Sequence, residues 1–437
     1  MQKNKNIKIF AIFILIANMV SAQIFSPYSQ YGLGIIHTNQ SAVTGAMGGI
    51  GAAYSDPYNI NYTNPSALAD MQFTSLDIGL RLNTRSITAN QNLPFTVANG
   101  GINNVSFSFP VMKNRWGMSF GLLPYSFSKY KYTKNQTLND IDYISKVEGS
   151  GSLYKLYFAN GVKWKGLKAG INTEFIFGKL SNTQYNEFSD NINSTGSRLN
   201  RTMSLRDIIF NIGVQYNFIL TKFENREKNK ENLEMTVGAY FSPGLKVDAY
   251  TSEYLEATKQ SSLNQEPFPI DTATGAFFED YTNIVVPMNV GVGLNIGKKN
   301  KWSIGLDYDF KSWVKTNSPI QSNSLTDEWH IKLGAEITPD YKSTKYLNRV
   351  SYRIGGHYGK APFIHENTGV SDFGITFGFG IPFARYKYTN KSLSNLNIAF
   401  EIGALGANKN QNLVENYYNF TLTYTLSDIW FRKQKFD

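Results

Sequence analysis

The sequence predicts an all-β protein, a transmembrane antiparallel β-barrel of about 14 strands preceded by a small N-terminal unit that does not alternate. Three observations predict it. From Ile208 to Leu220 every second residue is apolar (Ile208, Phe210, Ile212, Val214, Tyr216, Phe218, Leu220), with Asn211, Gly213, Gln215 and Asn217 among those between. That period of two gives a strand one oily face, and the run exceeds the roughly 9–11 residues a tilted strand needs to cross a bilayer. Similar dyads recur along the 437 residues, divided by connections that sort into a shorter and a longer class. The chain also begins with an export signal: Lys3, Lys5 and Lys8, an apolar stretch Ile9 to Val20, and the small-residue site Val20-Ser21-Ala22.

Composition excludes other classes. The apolar stretch of the signal is short for a membrane span, and no later segment approaches the ~18 consecutive apolar residues of a spanning helix. With 42% hydrophobic and 14% aromatic residues, the chain is too polar for a helical membrane protein. A barrel hides its apolar half in alternation and spends aromatics at the interfaces. The absence of cysteine removes disulfides, thiolate metal sites and an N-terminal lipid anchor together. The net charge of +10 owes three units to the signal lysines, and much of the rest sits in turns such as Lys298-Lys299-Asn300-Lys301. Charges scattered among turns argue against nucleic-acid binding.

The expected divisions are a signal peptide over 1–22, a hatch or plug over 23–72 and a barrel over 73–437. Residues 23–72 do not alternate and are rich in Gly, Ala, Ser, Asn and Pro, as suits a compact, turn-rich unit. Strands are expected near 73–88, 100–112, 115–129, 151–165, 166–183, 201–220, 232–249, 281–296, 302–315, 326–339, 347–361, 369–384, 393–405 and 415–431. Short connections follow the even strands, while 130–150, 184–200 and 250–280 read as long loops. Bacterial barrels keep short turns in the periplasm, so this parity predicts an outer-membrane location with both termini periplasmic.

The dyads also assign faces. Trp302, Ile304, Leu306, Tyr308 and Phe310 face lipid, and Tyr154, Leu156, Phe158, Val162 and Trp164 do the same on an earlier strand. The lumen is then charged: Asp77, Arg81 and Arg85 share one inner face, with Glu174, Asp207, Asp307, Asp309 and Glu401 pointing inward elsewhere. His330, Lys332 and Glu336 lie opposite Arg349, Arg353 and His357, and a symmetric turn near 343–344 makes His330 and His357 direct cross-strand neighbours. Two imidazoles at that spacing suit a metal or a pH sensor. The reading adopted is a hydrogen-bonded lumen network of Asp77, Arg81, His330, Lys332, Glu336, Arg353 and His357 that braces the plug, because buried charges need partners. No metal and no cofactor are expected. None of His37, His330, His357 and His365 lies in a nucleophile motif, so catalysis is not expected either.

The N-terminal segment carries Gly45-Ala46-Met47-Gly48-Gly49-Ile50-Gly51-Ala52-Ala53, then Asp56-Pro57, then Asn64-Pro65-Ser66-Ala67-Leu68. The glycines permit close backbone packing, and Asn64 is placed to cap a short helix starting at Pro65. Followed by fourteen strands, this segment resembles the FadL/TodX family of outer-membrane transporters of hydrophobic compounds. In that family a hatch with a small-residue run and an Asn-Pro-Ala motif plugs a 14-stranded barrel; here Ser66 stands third and Ala67 follows. The tail Trp430-Phe431-Arg432-Lys433 is similar to that of relatives from gliding and gut-type diderm bacteria, among them secretion carriers of the PorV type.

The resemblance implies uptake of hydrophobic small molecules or lipids, with lateral release through a wall gap where strand three kinks. Gly121-Leu122-Leu123-Pro124-Tyr125 lies at that place, and a proline without an N–H implies a bulge, a bend or a gap. Ile35, Ile36, Val43, Met47 and Ile50 are candidates to line a ligand pocket. The alternative is a non-transporting barrel subunit or PorV-like carrier in a protein secretion or outer-membrane assembly complex. The partners are therefore outer-membrane lipid or a hydrophobic ligand, or else other outer-membrane or secretion proteins.

Overall fold

The structure is a computed structural model describing residues 25–38, 40–89, 93–138, 141–188, 195–221, 232–259, 268–321, 324–383, 394–407 and 412–428. The export signal and the tail motif at 430–433 lie outside these residues. A two-residue strand β1 (Ile35–Ile36) precedes the wall. The wall begins with β2 (Thr74–Ala89), β3 (Phe95–Met112), β4 (Trp116–Phe127), β5 (Tyr130–Leu138), β6 (Ile141–Trp164) and β7 (Leu167–Phe188). It continues through β8 (Thr195–Thr221), β9 (Leu233–Ser242), β10 (Lys246–Lys259), β11 (Phe268–Val285), β12 (Met288–Lys298) and β13 (Trp302–Ser312). It ends with β14 (Glu328–Ile337), β15 (Ser351–His365), β16 (Thr368–Pro382), β17 (Asn395–Leu405) and β18 (Leu413–Asp428).

Antiparallel pairing runs round the ring and closes where β18 meets β2, from Leu413 opposite Ala89 to Asp428 opposite Thr74. Three spans are built in two pieces: β4 with β5, β9 with β10, and β11 with β12. The wall is therefore a closed barrel of fourteen spans. Pro243 and Pro287 stand at two of the breaks, where a missing N–H ends the ladder. No described helix is long and apolar enough to cross a membrane.

The expected faces are observed. Along β8, Ile208, Phe210, Ile212, Val214, Tyr216, Phe218 and Leu220 are exposed on the outside, while Ile209, Asn211 and Gln215 are buried inside. On β6, Tyr154, Leu156 and Phe158 point out and Leu153, Lys155 and Tyr157 point in. The 130–150, 184–200 and 250–280 stretches are a correction. They are largely strand, because β5 to β8, β10 and β11 continue past the apolar belt as long hairpins. A sheet wet on both faces needs no oily dyad, so these extensions carry no apolar alternation.

Inside the ring, residues 25–73 run from the long-hairpin end to the short-turn end. Phe25 lies against Phe95 at one end, their ring centroids 5.8 Å apart, and Asp70 reaches Lys163 and Lys168 at the other. Asp428 ends β18 at the short-turn end. The segment holds a 3-10 turn Pro27–Gln30, strand β1, a short helix α1 (Ala42–Gly45) and a 3-10 turn Pro65–Asp70. As expected, Asn64 caps the last: its Oδ1 accepts from Ser66 N at 3.1 Å and from Ser66 Oγ at 2.7 Å.

Candidate functional site

The small-residue motif lies against the inner wall. Gly48 has φ +66 and Gly49 φ +81, a region open to glycine. A Cβ on Gly48 would stand 2.4 Å from Gly356 O on β15. Wall side chains hold the motif's backbone. Thr376 Oγ1 accepts from Gly48 N at 2.8 Å, and one carboxylate oxygen, Asp307 Oδ2, accepts from both Gly51 N at 2.6 Å and Ala52 N at 2.7 Å. Asn64 Nδ2 donates to Ala52 O at 2.6 Å and reaches Val214 O and Ala239 O on the wall at 3.3 and 3.2 Å. Pro65, Ser66 and Ala67 are buried beside it.

A belt of paired charge surrounds this contact. Asp77 is buried and accepts from Tyr62 Oη at 3.4 Å. Arg81 joins Glu401 at 3.3 Å and His37 at 3.4 Å. Burial, with the Arg81 guanidinium alongside, holds the His37 imidazole well below its ordinary value. Lys332 bonds Asp309, and Arg353 Nε donates to Glu336 at 2.5 Å.

The histidine register corrects the sequence reading. His357 faces Lys332 across the ladder and His330 faces Gly359, because the turn is not symmetric about 343–344. The two rings still meet, with centroids 6.0 Å apart. Asp372 Oδ2 lies 3.1 Å from His330 Nε2 and 3.6 Å from His357 Nε2. Asp372 was not singled out, although it shares the inward dyad of Gly374 and Thr376. No metal-ligating cluster of three is found among the described residues.

Above the belt two apolar clusters lie beside the buried pairs Arg85–Glu415 and Lys155–Glu174. Leu33, Tyr125, Leu153, Ile176, Leu180 and Leu205 belong to one buried cluster, and Ile36 packs against it. Across the lumen Tyr28, Tyr31, Phe363 and Tyr417 form another, joined by Ile35. Val43, Met47 and Ile50 pack instead with Tyr54. The five residues expected to line one pocket thus sit in three clusters.

Pro124 marks a break in the wall. A bulge between Pro124 and Ser126 shifts the β4–β6 register. On its other edge β4 pairs with β3 only as far as Leu122 opposite Val105. Beyond that point, among the described residues, β3 pairs with β2 alone and β5 with β6 alone. The N-terminal segment covers the free edge of β4: Ile35 pairs with Phe127, Ile36 with Ser126, and His37 N donates to Tyr125 O at 2.8 Å.

A further space lies at the short-turn end. A cavity of about 950 Å³ opens there beneath Ser55–Asn59, walled by Asn217, Asn295 and Arg353 and rimmed by lysines.

The model of the BamG family matches residues 1–437. The chain belongs to the BamG family. No curated protein matches it significantly. Solved structures share the fold of this BamG-family barrel. The CymD monoaromatic hydrocarbon channel is 14% identical, with a TM-score of 0.56 over 90% of this chain and 98% of that one. The Ralstonia pickettii toluene transporter TbuX is 16% identical, with a TM-score of 0.51 over 89% and 98%. A Pseudomonas aeruginosa FadL homologue is 11% identical, with a TM-score of 0.56 over 89% and 98%. The fold expected from the FadL/TodX resemblance is therefore present.

Proposed function

We propose that this BamG-family barrel admits hydrophobic small molecules or lipids from the long-hairpin side and releases them sideways through the wall. Residues 23–72 act as the hatch. One observation carries the reading: the β3–β4 ladder stops at Val105–Leu122, beside an apolar cluster of the upper lumen, and among the described residues β1 and His37 cover the exposed edge of β4. A ligand that displaces β1 would meet an apolar cluster inside and lipid outside. The structural neighbours, a monoaromatic hydrocarbon channel and a toluene transporter, support this class of cargo.

The cysteine-free chain offers a direct test. Ile36→Cys with Ser126→Cys places two thiols on paired residues, whose Cα atoms in an antiparallel ladder stand about 4.5–5.5 Å apart, within disulfide range. Cells carrying the oxidised variant should lose uptake of labelled oleate and toluene, and reduction should restore it. Uptake indifferent to the cross-link would overturn lateral release.

A second reading, a barrel subunit of a secretion or outer-membrane assembly complex, is favoured by the buried apolar clusters that pack the N-terminal segment against the wall. Gentle purification separates the two readings. Bound lipid without a partner supports uptake, and a stoichiometric protein complex with no lipid supports the subunit.

A further inference from the structure

The short-turn mouth has an imbalance that the transport reading does not use. Its acidic groups are all engaged. Asp56 accepts from Tyr58 N at 2.8 Å, and Asp70 pairs with Lys163 at 2.8 Å and Lys168 at 2.6 Å. Glu234 accepts from Asn217 at 2.9 Å, and Glu336 holds Arg353. The remaining cations have no such partner: among the described residues, Lys298, Lys299 and Lys301 make no ion pair. Lys165 lies over Trp164 and Arg349 over Tyr346. With eight lysine and arginine cations lining it against four carboxylates, the mouth presents net positive potential to whatever enters.

The size of the cavity adds a second sign. The volume of about 950 Å³ is at the upper end of the ~300–1,000 Å³ typical of ligand pockets. A small anion would need cations converging on one point, whereas these come from the separate turns at 165, 298–301 and 349.

We infer that the short-turn mouth binds an acidic, extended peptide segment of another protein, steered by the lysines of the separate turns. This deepens the subunit reading and rests on it. Electrostatic complementarity of this kind governs encounter rate and partner choice and weakens with salt.

The test uses the full-length protein in neutral detergent and a fluorescein-labelled octapeptide of Glu, Tyr and Gly. Its counterpart with Lys in place of Glu and nanodiscs doped with phosphatidylglycerol serve as competitors. The acidic peptide should bind at least tenfold more tightly than the basic one. The triple variant Lys298→Gln, Lys299→Gln, Lys301→Gln should weaken it tenfold or more. Asn295→Asp, which sets a carboxylate in the wall, should do likewise while heat-modifiable migration confirms a folded barrel. Equal affinity for the two peptides, or an unchanged Kd in the triple variant, overturns the inference. So does competition by phosphatidylglycerol nanodiscs alone, which would mark the lysines as headgroup contacts. A partner that co-purifies undiminished with the triple variant overturns the mouth site while leaving the subunit reading standing.

Discussion

At the scale of single residues, the N-terminal segment is held by a few polar anchors, and Asp70 is the most exposed to test. Its carboxylate joins Ser55, Lys163 and Lys168, and the Lys168 side chain is almost wholly buried. Replacing Asp70 with Asn leaves a buried ammonium without its counter-charge. Breaking a buried pair from one side costs on the order of 3–5 kcal/mol. The double variant Asp70→Asn with Lys168→Met removes the orphaned charge and should recover most of the loss, read as urea midpoints in detergent. A double variant as unstable as the single would place the cost elsewhere. Acid should act through the same group. Burial alone would push the Asp70 carboxyl up, but the ammonium groups of Lys168 and Lys163 hold it well below the usual range. A depressed carboxyl contributes stability that is complete above its unfolded value of about 4 and is lost as pH falls toward the folded one. The wild type should therefore lose anchoring of the N-terminal segment below about pH 4, and Asp70→Asn should lack that component. Equal acid sensitivity in both would remove Asp70 from the account.

At the scale of elements, the wall was legible because lipid and lumen impose opposite demands on alternate residues. Ile208 to Leu220 reads as a membrane strand without any structure, and Ile212 is indeed exposed on the outer face. Ile212→Arg should cost about 2–4 kcal/mol near the bilayer midplane, measured by unfolding from liposomes. Gln215→Lys should instead disturb the bond from Gln215 Nε2 to Ala52 O, 3.0 Å long, inside the barrel. If both variants were neutral, the facing would be wrong. The long-hairpin extensions escaped notice for the same physical reason. Thr133, Lys134 and Asn135 on β5 have water on both sides, so no apolar dyad records that they pair with β6. Register was equally hidden, since His330 and His357 depend on how 338–350 turns, and an asymmetric turn leaves no trace in composition. The Asn64 cap, by contrast, is local chemistry written in adjacent residues, and it was readable. The three clusters that divide Ile35, Ile36, Val43, Met47 and Ile50 arise from how the N-terminal segment threads the lumen, which no short motif encodes.

At the scale of the molecule, the barrel is strongly asymmetric along its axis. Spans such as β6 to β8 run 22 to 27 residues, against the roughly 10 a membrane strand requires. Nearly all of the excess projects at the long-hairpin end, while the other end closes in short turns at 113–115, 165–166 and 299–301. Bacterial barrels place short turns in the periplasm, so the long sheet should stand outside the cell and the lysine-rimmed mouth inside. Both proposed activities depend on that orientation: cargo must arrive at the apolar clusters of the upper lumen from outside, and an acidic segment must reach the mouth from the periplasm. Because the chain contains no cysteine, a single introduced thiol reports its own compartment. Lys134→Cys lies exposed on β5 and Lys299→Cys lies exposed in the β12–β13 turn. On intact cells a membrane-impermeant maleimide should label the first and spare the second, and permeabilising the outer membrane should make both reactive. The reverse pattern would invert the barrel, moving the mouth to the cell surface and removing the periplasmic partner with it.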